Sequence, residues 1–324
     1  MIRIYSYSKE AKRMEMPTIA DLPRHINDPG RMLWVDLEDP NDEEAGVLDG
    51  MFGFHALAIE DCLQGNPLPK IDVYEGYLFI AFHAVDTNQT SGTFETAEIF
   101  ETVEVDVFTG DNHLVTFHRR PVKGIFDTRG WVAKNPGSLL RSPDWLLHGI
   151  LNSLIDHFGP PLKQLETRIQ NLERELLDAP REAHLREILS LRREIFHLIR
   201  ITGPQTDILH RMERGDLPWV QDVNLLYFRD LHDRLQRISR SGDLYRDMLA
   251  GLTDIHLSVL SNRTTGALRT LSAVSLLVLP PALVAAVYGI APTLFGPAGT
   301  PVPLGIIGAL LLGGALLLKK SRWF

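Results

Sequence analysis

Histidines and acidic residues are the side chains with the most obvious chemistry, but their spacing matches no common catalytic motif. His55, His83, His113 and His118 are scattered among strand-like segments, so structural or surface roles are favoured over a zinc site. The sequence holds no Gly-x-x-x-x-Gly-Lys phosphate loop, no His-Glu-x-x-His motif and no Gly-x-Ser-x-Gly elbow. We therefore predict that the protein is not an enzyme.

A second set of residues repeats at alternating steps of three and four in a long helical segment, which places its members on one face. Its members are Asp254, Leu257, Ser261, Thr264, Leu268, Leu271, Ser275, Leu279, Ala282 and Ala286. Carboxylate and hydroxyl oxygens suit a hydrated cation. The same pattern also fits ordinary helix packing by the leucines, with Asp254 in solvent.

The charge balance favours cations over nucleic acids as partners. Lys and Arg number 33 and Asp and Glu number 41, giving a formal net charge of −8 at pH 7, which repels phosphate backbones. The single cysteine, Cys62, cannot form an internal disulfide bond and offers no thiolate metal site. We expect a buried thiol and a soluble part in the reducing cytoplasm.

Two uncharged apolar segments near the end of the sequence predict two membrane-spanning helices. Thr270–Ile290 is rich in Leu, Val and Ala, and Pro301–Leu318 is shorter but sufficient. We place the helices at residues 269–290 and 301–319, joined by an outer loop at residues 291–300. A buried hairpin of a soluble protein is the less favoured alternative, because basic residues flank both segments on one side.

Basic residues also set the predicted orientation. Arg263 and Arg269 precede the first span and the basic tail at residues 320–324 follows the second, whereas the connecting loop carries no charge. The positive-inside rule then puts both chain ends in the cytoplasm. Because two helices cannot enclose a pore, a conducting protein needs several copies around an axis. Glycines would let the helices approach closely, and these are Gly305, Gly308, Gly313 and Gly314.

Residues 1–142 alternate short β-type segments with helical ones and predict a cytoplasmic α/β domain with one sheet. The predicted elements are strands at Met32–Leu37, Tyr77–Val85, Thr102–Phe108 and Leu114–His118, and an acidic helix at Asn41–Phe52.

Beyond Pro143 the pattern becomes helical. Apolar residues from Leu162 to Leu176 form a coiled-coil seam, and we predict an antiparallel helical hairpin over residues 143–218. A stalk helix over residues 219–268 then continues into the first span, and from Asp222 to Ile290 it would be on the order of 100 Å long.

Short motifs occur in the same order as in a known family over nearly the whole chain. They are Trp34–Leu37, His55–Asp61, Pro69–Asp72, Tyr227–Asp230, Tyr245–Asp247 and Leu252–Thr264. Together they resemble the CorA family of divalent metal cation (magnesium/cobalt) transporters. The resemblance implies a funnel-shaped homopentamer in a bacterial-type inner (plasma) membrane, with an α/β domain, a long stalk and two transmembrane helices. A divalent cation, Mg²⁺ first and Co²⁺ or Ni²⁺ besides, would be both substrate and regulatory ligand, without a covalently bound cofactor or a nucleic acid partner.

The resemblance also assigns roles to residues. The face that begins at Asp254 would line the pore, with a ring of Asp254 carboxylates near the inner exit. Leu268, Leu271 and Leu279 would form an apolar constriction that closes by dewetting.

A regulatory site is implied as well. Asp230 matches a stalk position where metal bridges two subunits, and Asp86, after the Tyr77–Val85 strand, is its expected partner. Metal between them would neutralise their repulsion and hold the gate closed.

The sequence departs from the family at the outer end of the first span. Family members typically carry Tyr-Gly-Met-Asn there, whereas this chain reads Tyr288-Gly289-Ile290-Ala291. The family asparagine hydrogen-bonds the water shell of an entering ion, and Ala291 offers only its backbone. Two alternatives to a magnesium channel therefore stay open: a zinc transporter of the same superfamily, and a non-conducting CorA-like metal sensor or scaffold.

Overall fold

A computed structural model describes residues 1–65, 68–86, 100–178, 181–290 and 301–320. Within these ranges the strands are β1 (Ile2–Ser8), β2 (Arg13–Glu15), β3 (Arg31–Glu38), β4 (Lys70–Tyr74), β5 (Tyr77–Val85), β6 (Thr102–Thr109) and β7 (His113–His118). The helices are α1 (Leu22–Ile26), α2 (Asp42–Ala45), α3 (Val47–Gly50), α4 (Ala56–Gln64), α5 (Lys123–Lys134), α6 (Pro136–Leu139), α7 (Pro143–Asp156), α8 (Gly159–Asp178), α9 (Glu182–Glu213), α10 (Leu225–Ile290) and α11 (Pro301–Lys320).

The described strands form one sheet in the order β2-β1-β3-β7-β6-β5-β4. β3 and β7 pair in parallel, and the other neighbours pair antiparallel. Every residue of β5 is buried, which explains its continuous apolar sequence, since a strand covered on both faces needs no polar side.

Helices cover both faces of this sheet, so the predicted α/β class is confirmed. On one face, Val35 and Phe108 pack with Leu48 and Phe54, which belong to the segment of short helices before β4. On the other face, a second core joins the strands to α5, α7, α9 and the start of α10. Members of this second core include Trp34, Ile80, Ile150, Leu209 and Leu231.

The four strand predictions agree with the structure to within one residue at each end. They correspond to β3, β5, β6 and β7, whereas β1, β2 and β4 have no predicted counterpart. Cys62 on α4 is buried in the first of the two cores, as expected for an inert thiol.

The acidic helix predicted at Asn41–Phe52 is wrong in detail. Asn41 caps α2 through its side chain, which accepts a hydrogen bond from the backbone N–H of Glu44. The segment then divides at Gly46 into α2 and α3, so two short helices replace the single predicted one.

Among the described residues from Pro143 onward, three α-helices precede α10, whereas a single helical hairpin was predicted over residues 143–218. α7 packs on the sheet through Leu147 and Ile150. α8 and α9 run antiparallel, because Arg168 lies 3.8 Å from Glu187 and Glu175 lies 3.4 Å from His184. The predicted seam of α8 is buried at Leu165, Ile169, Leu172 and Leu176.

α10 is a single helix of 66 residues that begins at Leu225, six residues after the predicted start of the stalk at residue 219, and its division into stalk and first span stays a prediction. By its internal contacts the chain divides into two compact units. The first consists of Met1–Leu177 and Glu182–Gly251, and the second of Asp178–Arg181 and the chain from Leu252 onward. Within the second unit, Pro280 and Pro281 lie inside α10.

α11 packs against α10 in the second unit. A Cβ atom added to Gly314 would lie 3.2 Å from Cδ2 of Leu277, so the two helices meet closely at this glycine. Gly305, Gly308 and Gly313 have open space at the same position, and the predicted role in close packing therefore falls on Gly314.

Candidate ion pathway and metal-binding groups

The face of α10 that begins at Asp254 is open in the single chain. Nine of its ten predicted residues are exposed, and Ser275 is half-buried. The opposite side of the helix carries Leu277 against α11, and Ala273 and Pro281, one turn before and after Leu277, are buried. α11 thus covers the side of α10 around Leu277, and the predicted face lies outside this contact.

The open face combines leucines with hydroxyl groups. Leu268, Leu271 and Leu279 are each more than half exposed. The hydroxyl of Thr264 donates to the backbone carbonyl of Leu260 at 3.0 Å, which directs its proton inward and leaves its lone pairs as acceptors. Acceptors of this kind suit the water shell of a hydrated cation, whose protons point outward.

The predicted outer mouth lies at the end of the described part of α10. Gly289 and Ile290 belong to the last turn of the helix, and Ile290 is 86% exposed. The backbone of Tyr288 is helical. Ala291, the residue in which this chain departs from the family, lies outside the described residues, as do the rest of the predicted outer loop and residues 321–324 of the predicted tail.

Asp230 lies where α10 starts on the soluble domain. The buried carboxylate of Asp144 accepts hydrogen bonds from the backbone N–H of Gln221 at 3.0 Å and from Nδ2 of Asn224 at 2.7 Å, which fixes the chain just before the helix. Asp230 is exposed and near His148 of α7. Burial lowers the pKa of His148, although the Asp230 carboxylate acts in the opposite direction.

Asp86 follows β5 and is held within its own chain. Its carboxylate is 5% exposed, and Oδ2 lies 3.1 Å from Nη1 of Arg120. The same guanidinium nitrogen lies 2.7 Å from Oε1 of Glu101. Asp86 is therefore already ion-paired, and a metal ion at this position has to compete with Arg120.

Two other groups of ligand-type side chains converge within the described residues, and sequence reasoning missed both. The first is Asp36, Glu38 and His118. Nη1 of Arg129 lies 3.1 Å from Asp36 and 2.9 Å from Glu38, so an arginine already supplies the positive charge here. This group serves as a structural network on the sheet.

The second group is His210, Glu213 and His232, whose ligand atoms all lie within 4.8 Å of one another. His210 and Glu213 are three residues apart on α9, which puts them on one face. His232 comes from α10. The pair on α9 could be found in the sequence, but the third residue is supplied only by the packing of two helices.

The fold and the open face define a class of protein. Among the described residues, one helix is long and apolar enough to cross a membrane, and a shorter apolar helix spans Leu304–Leu316. An α/β domain on the same chain precedes both. The class is that of a membrane protein with a large soluble domain.

The family follows from comparison with known proteins. The model for the family described as CorA-like Mg²⁺ transporter protein matches residues 29–320, and the chain belongs to this family. The family is one of transporters rather than enzymes. The predicted resemblance is confirmed.

Individual relatives cover almost the whole chain. The protein YfjQ of Bacillus subtilis is 32% identical over 317 residues, which cover 97% of this chain and 93% of YfjQ. The cobalt/magnesium transport protein CorA of Thermotoga maritima is 25% identical, with 99% of this chain and 92% of CorA covered. The solved structure of the CorA magnesium transporter from Methanocaldococcus jannaschii superposes with a TM-score of 0.81 at 19% identity, covering 100% of this chain and 99% of that one. This last likeness confirms the fold.

Proposed function

We propose that this chain is one subunit of a homo-oligomeric transporter that passes divalent metal cations, Mg²⁺ first and Co²⁺ or Ni²⁺ besides, across a membrane. The observation that carries the proposal is the open face of α10, which presents leucines and hydroxyl groups while α11 covers the other side. Exposed leucines are costly in water, so further copies or lipid must cover them. Family membership supports a metal cation as substrate.

The membrane arrangement is part of the proposal. Two spans at residues 269–290 and 301–319, with both chain ends in the cytoplasm of a bacterial-type inner membrane, agree with the distribution of basic residues. Five copies around one axis are implied by the family resemblance. In that assembly each copy contributes the open face of its α10 to the pore.

Conduction then depends on hydration. Mg²⁺ releases its water slowly, so the pore has to pass an ion that keeps most of its shell. The Asp254 carboxylates attract the cation at the inner end, and the hydroxyls of Ser261, Thr264 and Ser275 accept hydrogen bonds from its water. Leu271 and Leu279 close the path when water leaves the narrow apolar section.

Regulation by cytoplasmic metal is a second part of the proposal. An ion between Asp230 of one subunit and Asp86 of the next would hold the closed state. Since Asp86 is paired with Arg120, binding requires that ion pair to open. Metal inhibition that persists in a double variant, Asp86→Ala with Asp230→Ala, would contradict this role.

The transport proposal is tested by ion uptake into proteoliposomes that contain the purified protein. Leu279→Ala widens the apolar section and should increase Mg²⁺ uptake. Val274→Ala removes a similar side chain that is also exposed but lies away from the open face, so it should leave uptake near the wild-type level. Equal effects of the two changes would contradict the pore assignment.

The same assay separates the alternatives. Competition among Mg²⁺, Co²⁺, Ni²⁺ and Zn²⁺ identifies a zinc transporter by preferential Zn²⁺ uptake. A wild-type protein that takes up none of these ions would be a sensor or scaffold. Ala291→Asn restores the residue typical of the family, and increased Mg²⁺ selectivity in this variant would locate the filter.

A further inference from the structure

We infer that His210, Glu213 and His232 form a binding site for a transition-metal cation such as Zn²⁺, Co²⁺ or Ni²⁺ on the soluble domain. Nδ1 of His210 lies 2.7 Å from Oε1 of Glu213, and Nδ1 of His232 lies 3.3 Å from Oε2 of the same carboxylate. Two imidazole nitrogens and one carboxylate thus converge on one point from α9 and α10.

The ligand set selects the class of ion. Imidazole nitrogen suits Zn²⁺, Ni²⁺ and Co²⁺, whereas Mg²⁺ prefers oxygen ligands in an octahedral shell. Two histidines and one carboxylate leave a fourth position for water, a common zinc arrangement. The site therefore favours transition-metal cations over Mg²⁺.

The burial of the three residues also fits a site. The side chains of Glu213 and His232 are 12% and 13% exposed, so their positions are fixed by packing, while His210 is 50% exposed and leaves an entrance. Nε of Arg229 lies 3.9 Å from Oε2 of Glu213, but the Arg229 side chain is 64% exposed, so it can swing away when an ion binds.

This site is separate from the proposed regulatory pair. His232 follows Asp230 by two residues, which places the two side chains on different sides of α10. An ion at the new site joins the end of α9 to the second turn of α10 within one subunit, whereas the Asp86–Asp230 pair acts between subunits.

Zinc binding to the purified full-length protein in detergent tests the site without any transport step. In millimolar Mg²⁺, we expect the wild type to bind one Zn²⁺ more per chain than His232→Ala, because losing one of three ligands weakens binding by about 100-fold or more. Glu213→Gln should weaken it similarly. Co²⁺ bound to the wild type should give a visible absorption band that both variants lose.

His157→Ala is the matched control, since His157 forms a two-residue pair with Asp127 at 3.1 Å and belongs to neither group of three. It should bind Zn²⁺ like the wild type. Equal Zn²⁺ binding by the wild type and His232→Ala, or loss of the ion to excess Mg²⁺, would overturn the inference. If His232→Ala does not fold, unchanged affinity in Glu213→Gln overturns it instead.

Discussion

The two units of the chain differ in how far their large apolar side chains are buried. In the first unit, Trp34 and Phe108 are fully buried, and even the buried carboxylate of Asp36 is matched by Arg129 and by the hydroxyl of Thr116. In the second unit, large leucines such as Leu279 and Leu312 are exposed. The first unit thus has a large buried apolar core that also encloses a paired carboxylate, whereas the exposed leucines of the second unit need a cover of lipid or of further copies of the chain.

The largest expected loss of stability comes from removing the partner of a buried charge in the first unit. Arg129→Ala leaves the fully buried Asp36 without its closest guanidinium, and we expect a loss of about 3–5 kcal/mol in the free energy of unfolding. Urea unfolding followed by tryptophan fluorescence measures it. Arg246→Ala, which removes an exposed pair with Asp243, should cost less than about 1 kcal/mol. Similar costs for the two variants would contradict the contrast.

Acid should weaken the first unit through His113. Its ring packs against Phe52 and Phe54, and burial lowers the pKa of His113 from 6.5 to about 4. Between these values the unfolded chain binds a proton that the folded chain does not, so stability is lost as the pH falls. The loss is at most about 2 kcal/mol between pH 7 and 5.

The measurement is the melting temperature of the protein against pH. His113→Gln should flatten the curve in this range. An unchanged slope in His113→Gln would show that another group causes the loss.

An effect of similar size to that of His113 is expected in the second unit, where α10 and α11 are held by close approach rather than by buried charge. Gly314→Leu forces a side chain against Leu277, and overpacking of this kind costs about 1–3 kcal/mol. Gly313→Leu adds the same side chain where space is open. Thermal melting of the protein in detergent should show a loss only for Gly314→Leu. Equal melting temperatures would mean that α10 and α11 do not rely on this contact.

Local patterns in the sequence were enough to predict four strands and the apolar helices. The apolar run Tyr77–Val85 matches β5 at both ends, and the uncharged segments match the end of α10 and the start of α11. Local patterns did not predict features that depend on contacts between residues far apart in the sequence. α9 continues through Pro204, and its next residue, Gln205, is buried and donates to the backbone carbonyl of His83 at 2.8 Å.

The candidate sites show the same limit. The repeat of three and four residues identified the face of α10 that begins at Asp254, because all residues of this face lie on one helix. Their roles in a pore stay predictions. The ion pair between Asp86 and Arg120 and the approach of His232 to Glu213 join residues far apart in the sequence. No periodicity within one segment encodes such contacts.

The adjacent prolines of α10 have a consequence for the polarity of the proposed first span. Proline has no N–H group, so Pro280 and Pro281 leave the carbonyl oxygens of Leu276 and Leu277 without their usual helical donors. The oxygen of Leu276 lies 4.0 Å from the point where a Cβ of Gly314 would stand, so it lies beside α11. Hydrocarbon chains offer no donor at all. Where the proposed first span crosses lipid, water or a neighbouring polar group has to reach these oxygens, which creates one polar level inside an otherwise apolar segment.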